Sequence, residues 1–239
     1  MLLFYIRHGD PTYRPDALTP LGTRQAESVA HRLSLIGLDA IYSSSSNRAY
    51  QTAIPTAEML KLEVEQREFC TESRAWEAMA LRESDGRQKW MFQSGEWREV
   101  LRSPEVIALG KEWYTHEKFK DTPIPSRLPE INADSDAFLL ELGYRHIPSE
   151  NRYVAEQGND RRIALFAHQG FGMAFLSHIL DVPYPLFAMH FDMGHSGMTV
   201  IEFAPDSHGI ISPTVLTLAN DSHLYRDGIP TNYQNRIRF

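Results

Sequence analysis

The chain has 239 residues, a formal net charge of -7 and a sequence pI near 5.8, a balance that opposes broad electrostatic attraction to nucleic acid or to an anionic membrane surface. Hydrophobic residues make up 42% and charged residues 23%, as in soluble globular proteins rather than disordered ones. The length suits one domain spanning residues 1–239 that carries an inserted subdomain, and the single cysteine, Cys70, provides neither a disulfide framework nor a Cys-based zinc site.

Leu2 to Ile6 is a short apolar run that meets Arg7, too short for a signal peptide or a membrane span. It reads as a buried strand ending in the polar loop Arg7-His8-Gly9-Asp10-Pro11, and the cytoplasm is the expected location. Thr19-Pro20 supplies a helix N-cap and first-turn proline, and Ala26, Val29, Ala30 and Leu33 follow at helical spacing. Asp39 to Ser43 reads as a second strand. The serine run Ser43–Ser46 then predicts a helix from about Asn47 to Leu60 with Arg48 in its first turn, and Val64 to Arg67 is a further strand candidate.

From Ser73 to Arg152 the texture changes to four tryptophans, many charges and prolines at 123, 125 and 129, with helical periodicity in Gln88–Leu101 and Ser135–Leu142. This predicts an inserted, mainly helical cap over residues 73–152, whose core takes Trp90, Phe92, Trp97, Trp113 and Tyr114 in preference to an aromatic substrate platform. Arg162 to Ala167 restores a buried strand, and His168-Gln169-Gly170 turns into an apolar helix over Phe171–Leu180. Thr199–Phe203 and Ile210–Leu218 are two more strand candidates, and the polar end from Asn220 lacks periodicity, Arg236 and Arg238 reading as a solvated tail.

Strands alternating with helices predict an α/β fold, three-layer α/β/α with a mostly parallel central sheet. Such sheets bind ligands beyond the carboxyl ends of their strands, which puts His8 and His168 in one pocket although they stand 160 positions apart in sequence. Singly, His8 would be a satisfied strand-end histidine, Arg48 a solvated helix residue and Glu72 a surface carboxylate. Together they offer a nucleophile and fixed positive charge, the two things phosphoryl transfer requires.

Arg7-His8-Gly9 after a first strand, the segment Leu18-Thr19-Pro20-Leu21-Gly22-Thr23-Arg24-Gln25-Ala26, Asn47-Arg48-Ala49-Tyr50-Gln51-Thr52-Ala53, and the late Ala167-His168-Gln169-Gly170 together resemble the histidine phosphatase superfamily, in its phosphoglycerate mutase-like branch. The resemblance runs from the start to about Thr199 and leaves the cap uncovered. It implies a metal-independent phosphoric monoester hydrolase acting on a small phosphorylated substrate through a phosphohistidine on His8. Arg7, Arg48, His168 and Gln169 would bind phosphate, and Glu72 would be the general acid, with Glu77 of the Trp76-Glu77 pair as the alternative. It implies no cofactor, no metal, no nucleic acid and no membrane, and a homodimer is compatible with it.

Two competing functions remain. A mutase would return the phosphoryl group to a sugar acid, but that branch usually carries Trp-Asn where Tyr13-Arg14 stands here. A binding protein on the same fold would hold a phosphorylated ligand without turning it over. His190, Asp192 and His195 form a compact run, yet their spacing fits no familiar metal pattern, and His195-Ser196 suits pocket lining better. His31, His116, His146, His178, His208 and His223 have no partners visible in sequence.

Overall fold

The computed structural model describes residues 1–231, so Arg236 and Arg238 lie outside the described residues. In chain order the elements are β1 (Leu2–Arg7), the hairpin β2 (Pro11–Tyr13) and β3 (Asp16–Leu18), α1 (Pro20–Ile36), β4 (Ala40–Ser44), α2 (Asn47–Leu60), β5 (Val64–Arg67), α3 (Glu72–Met79) and the hairpin β6 (Ala80–Arg82) and β7 (Gln88–Trp90). There follow α4 (Gly95–Leu101), α5 (Pro104–Ala108), α6 (Ile124–Glu141), the hairpin β8 (Tyr144–Ile147) and β9 (Arg152–Ala155), β10 (Arg162–Ala167), α7 (Gln169–Ile179), α8 (Tyr184–His190), β11 (Met198–Glu202), β12 (Thr214–Asn220) and α9 (Ser222–Arg226).

Six strands form the central sheet in the order β12-β11-β1-β10-β4-β5. β1, β10, β4 and β5 run parallel, β11 runs antiparallel to β1, and β12 runs antiparallel to β11. Alternate side chains of the central strands go to opposite faces. Phe4, Ile6, Ala164 and Phe166 pack with Val29, Leu33 and Ala53 of α1 and α2, and Leu3, Tyr5, Ile163 and Leu165 pack with Ala75, Phe138, Phe171 and Phe175 of α3, α6 and α7. Burial on both faces is why these strands read as continuous apolar runs. Among the described residues no helix is long and apolar enough to cross a membrane.

α1 starts as its sequence predicts, with the Thr19 side chain accepting the N–H of Gly22 at 3.1 Å and Pro20 in the first turn. Ser46 precedes α2 without a side-chain cap. The helix start is held from outside, since the Asp16 carboxylate accepts the N–H of Asn47 at 2.9 Å.

The segment between residues 73 and 152 is less uniformly helical than its sequence predicts. Gln88–Trp90 is a strand, and only Gly95–Leu101 of the expected helix forms one. The turn at Ser84-Asp85-Gly86, with Gly86 at φ 82, closes the β6–β7 hairpin, and turn chemistry of this kind overrides the helical spacing of the aromatics after it. Both edges of the expected insert fall inside elements, α3 at one end and the β8–β9 hairpin at the other. Trp113 and Phe119 belong to the same apolar core as Tyr5 and Phe171. Trp113 is buried and stacks on Tyr184 at 5.3 Å. Ile210–Leu218 becomes a strand only from Thr214, and a short helix, α9, forms in the polar end.

Candidate active site

β1 and β10 are neighbours in parallel register, with Arg7 opposite Ala167 and Ile6 opposite Phe166. The next residue of each strand is therefore a histidine at the same height, and the rings of His8 and His168 lie 5.2 Å apart. β4 flanks β10 on its other side, with Ser43 opposite Phe166, so Ser44 reaches the pocket as well. Register alone makes the cluster.

The loop after β1 is fastened by the segments that follow it. The Gly9 N–H donates to Thr52 Oγ1 at 3.0 Å, Asp10 N–H to Gln25 Oε1 at 2.7 Å, and Leu18 N–H to Gln51 Oε1 at 2.7 Å. Gly9 and α1 approach so closely that a Cβ on Gly9 would sit 2.6 Å from the carbonyl oxygen of Gly22.

Hydrogen-bond partners settle the protonation of the pocket histidines. His8 Nδ1 lies 2.7 Å from Gly9 O; a carbonyl only accepts, so the proton is on Nδ1. The lone pair of Nε2 then faces the pocket, where Arg48 Nε donates to it at 3.3 Å. Arg48 Nη2 donates to His168 Nδ1 at 3.1 Å, which leaves His168 Nε2–H for Ser44 Oγ at 2.9 Å. Arg7 Nη2 donates to His195 Nε2 at 2.9 Å, and His195 Nδ1 lies 3.3 Å from Asp10 Oδ1. All three rings are neutral. Burial, then the neighbouring His168 and Arg7, holds His8 well below the ordinary histidine range; burial, then Arg48 and Arg7, does the same to His168.

The guanidinium of Arg48 is held by Asp16 Oδ1 at 2.8 Å and lies over the Tyr13 ring at 5.3 Å, so the β2–β3 hairpin orients it. Arg7 is 5% exposed. It donates to Met193 O, makes no ion pair among the described residues, and its Nε has no partner. A buried guanidinium without a carboxylate is costly unless an anion shares the pocket.

Glu72, the first residue of α3, accepts the N–H of Gly170 at 3.1 Å and of Phe171 at 3.0 Å. It sits at the positive end of α7. Burial pushes its carboxyl up, opposed by those two N–H groups and by Arg7. Glu77 is exposed, on another face of α3.

Five expected residues, Arg7, His8, Arg48, Glu72 and His168, thus surround one pocket. Gln169 differs, because its side-chain amide donates to Asp192 and lines an adjacent cleft of about 720 Å³ with Phe92, Gln93, Arg98, His190 and Phe191. His190, Asp192 and His195 do not act as a unit: His195 joins Arg7, Asp192 holds Gln169, and His190 is exposed. Reasoning from sequence missed Asp16, Ser44 and Asp10, whose roles depend on contacts between distant elements. It also missed the partners of three histidines: His146 and His178 meet Asp136, and His223 meets Ser196 at 3.1 Å. Trp90, expected in a cap helix, lies on β7 and covers Gly170 so closely that a Cβ there would be 2.3 Å from its ring.

The sequence matches the family model of the histidine phosphatase superfamily (branch 1) over residues 3–117. Solved structures similar to it include a mutant of phosphoserine phosphatase from Entamoeba histolytica in complex with phosphoserine, 21% identical with a TM-score of 0.58 over 93% of this chain and 98% of that one. Mycobacterial glucosyl-3-phosphoglycerate phosphatase is similar too, 21% identical with a TM-score of 0.58 over 91% of this chain and 98% of that one. No curated protein matches the sequence significantly. Over residues 3–117 the chain thus carries the sequence pattern of the histidine phosphatase superfamily, and over nine-tenths of its length it shares the fold of these phosphatases.

Proposed function

We propose that this chain is a phosphatase that hydrolyses a small phosphomonoester through a phosphohistidine on His8. The observation that carries the reading is the pairing of an Nδ1-protonated His8 with a buried Arg7 that makes no ion pair among the described residues. The first presents a lone pair, and the second supplies the charge that draws an anion in front of it.

The incoming phosphate takes over the N–H groups that Arg48 now gives to the two imidazoles. That exchange frees His8 Nε2 to attack phosphorus in line with the leaving oxygen. Arg7 and Arg48 hold the equatorial oxygens as charge spreads over them, the task a divalent cation performs in other phosphoryl transfers. His168 is neutral before binding; a dianion beside it favours its protonated form and makes it a further donor. Glu72, raised by burial, gives its proton to the leaving alkoxide. The same carboxylate then takes a proton from the water that breaks the N–P bond, which restores both groups.

The leaving group would lie toward the cleft beyond Gln169, where Arg98 and Gln93 offer polar contacts. The phosphoserine and glucosyl-3-phosphoglycerate phosphatases are similar in fold, which supports a phosphatase without selecting a substrate.

The test is phosphate release from p-nitrophenyl phosphate and a panel of small phosphomonoesters, with wild type and His8→Ala. Release that falls by roughly 10³-fold or more in the variant, with an acid-labile phosphoenzyme trapped in wild type, is the expected result. Release unchanged in His8→Ala overturns the reading. Phosphoenzyme without release points to a mutase, and phosphate binding without either points to a binding protein.

A further inference from the structure

A second group of chemistry-bearing residues stands at the far end of α7, ten residues from His168 and therefore about 15 Å along the helix axis. Asp136 Oδ1 on α6 lies 2.8 Å from His146 Nδ1 on β8 and 2.8 Å from His178 Nε2 on α7. One carboxylate oxygen thus faces two imidazole nitrogens, and the three donor atoms lie within 4.8 Å of one another. The His146 ring is fixed: its side chain is 1% exposed, it lies flat on Tyr153 at 4.3 Å and 3°, and its Nε2 faces Asp181 Oδ2 at 3.2 Å. The other oxygen of Asp181 accepts from Lys111 Nζ at 2.8 Å, so the lysine is spent on Asp181 and does not occupy the group.

Beside His178 is a cavity of about 40 Å³, lined among others by Lys111, Asn132 and Tyr184, with room for a water. Asn132 stands four residues before Asp136 on α6 and so shares its face. Its Oδ1 is buried without a partner among the described residues, as is the Tyr184 hydroxyl, on a side chain that is 3% exposed. Oxygens in such positions ordinarily find a water, an ion or a donor.

We infer that Asp136, His146 and His178 bind a divalent transition-metal ion of the zinc class, with a fourth position open toward Asn132 and the cavity. Two imidazoles and a carboxylate are a donor set such ions favour, and the bond lengths are about 2.0 Å. Tetrahedral coordination at that length separates donors by about 3.3 Å, so each imidazole withdraws from Asp136 by roughly half an ångström. Asp181 holding the other nitrogen of His146 is the carboxylate–histidine–metal arrangement that orients a ligand ring. The ion replaces the protons now shared between Asp136 and the two rings. It ties α6, β8 and α7 together and takes no part in the chemistry at His8, so the inference stands apart from the phosphatase reading.

The test titrates the full chain, stripped with EDTA, with Zn²⁺ by calorimetry and with Co²⁺ by visible absorption. One equivalent binds, with the ligand-field bands of a four-coordinate site; His178→Gln and Asp136→Asn weaken it at least tenfold, while His8→Ala and His190→Ala leave it unchanged. Binding that survives His178→Gln, or that is lost in His8→Ala, overturns the assignment, as does failure of wild type to saturate. A melt of wild type needs no variant: Zn²⁺ raises the midpoint by several degrees, and an unmoved midpoint overturns the inference.

Discussion

Glu72 Oε2 accepts the backbone N–H of Phe171 at 3.0 Å, which fastens the proposed acid to the start of the helix that follows His168. Both proposed catalytic groups therefore ride on one junction. Glu72→Gln keeps one acceptor for these N–H groups and removes the proton donor. Turnover of an alkyl phosphate is expected to fall by about 10²-fold or more, while p-nitrophenyl phosphate, whose leaving group needs no proton, changes little. Equal losses on both substrates would assign Glu72 to structure instead.

Arg48 is aimed by Asp16 at 2.8 Å. Arg48→Lys keeps the charge but loses the planar fork, and kcat/KM is expected to drop by roughly 10²-fold. Asp16→Ala leaves Arg48 in place without its orienting partner, so a loss several-fold in size is expected, in kcat more than in KM. Steady-state kinetics on one substrate separate the two, and an Asp16→Ala loss as large as that of Arg48→Lys would argue against a positioning role.

Gly9 meets the backbone of Gly22, not a movable side chain. Gly9→Ala must shift the loop that carries His8, at a cost of about 1–3 kcal/mol. Urea unfolding should show that loss together with reduced activity, and a fully stable, fully active Gly9→Ala protein would refute the packing argument.

Burial holds His195 and His223 down to about 4, and His8 and His168 lie well below the ordinary range. The unfolded chain takes protons near pH 6.5 that these folded sites refuse. What these four sites contribute to stability is therefore full above pH 6.5 and is lost as pH falls from there toward 4, at up to about 1.4 kcal/mol per pH unit for each histidine. Urea midpoints measured between pH 7 and 5 should decline before the carboxylates titrate, and His223→Gln should lessen the slope by about one proton. A flat profile over that interval would contradict the neutral assignments.

Local chemistry was legible where it is set by neighbours along the chain. The Thr19 cap, the proline after it, and the apolar runs of β1 and β10 mark their elements because capping, ring constraint and two-sided burial act within a few residues. The β6–β7 hairpin was misread because half-buried aromatics can mimic helical spacing while the turn that decides the matter occupies only Ser84-Asp85-Gly86.

By itself the sequence determined the residue types of the pocket, the strand ends that carry His8 and His168, and the ordered motifs of the family. Only the tertiary structure decided which acid enters the pocket, which partners fix the tautomers, and which other side chains arrive: Glu72 is half-buried against the α7 terminus while Glu77 is exposed, and Asp16, Ser44 and His195 reach the pocket from separate elements. Those outcomes depend on strand register and on contacts between elements far apart in the chain, where the geometry of a few ångströms, not the spacing of residues, sets which groups meet.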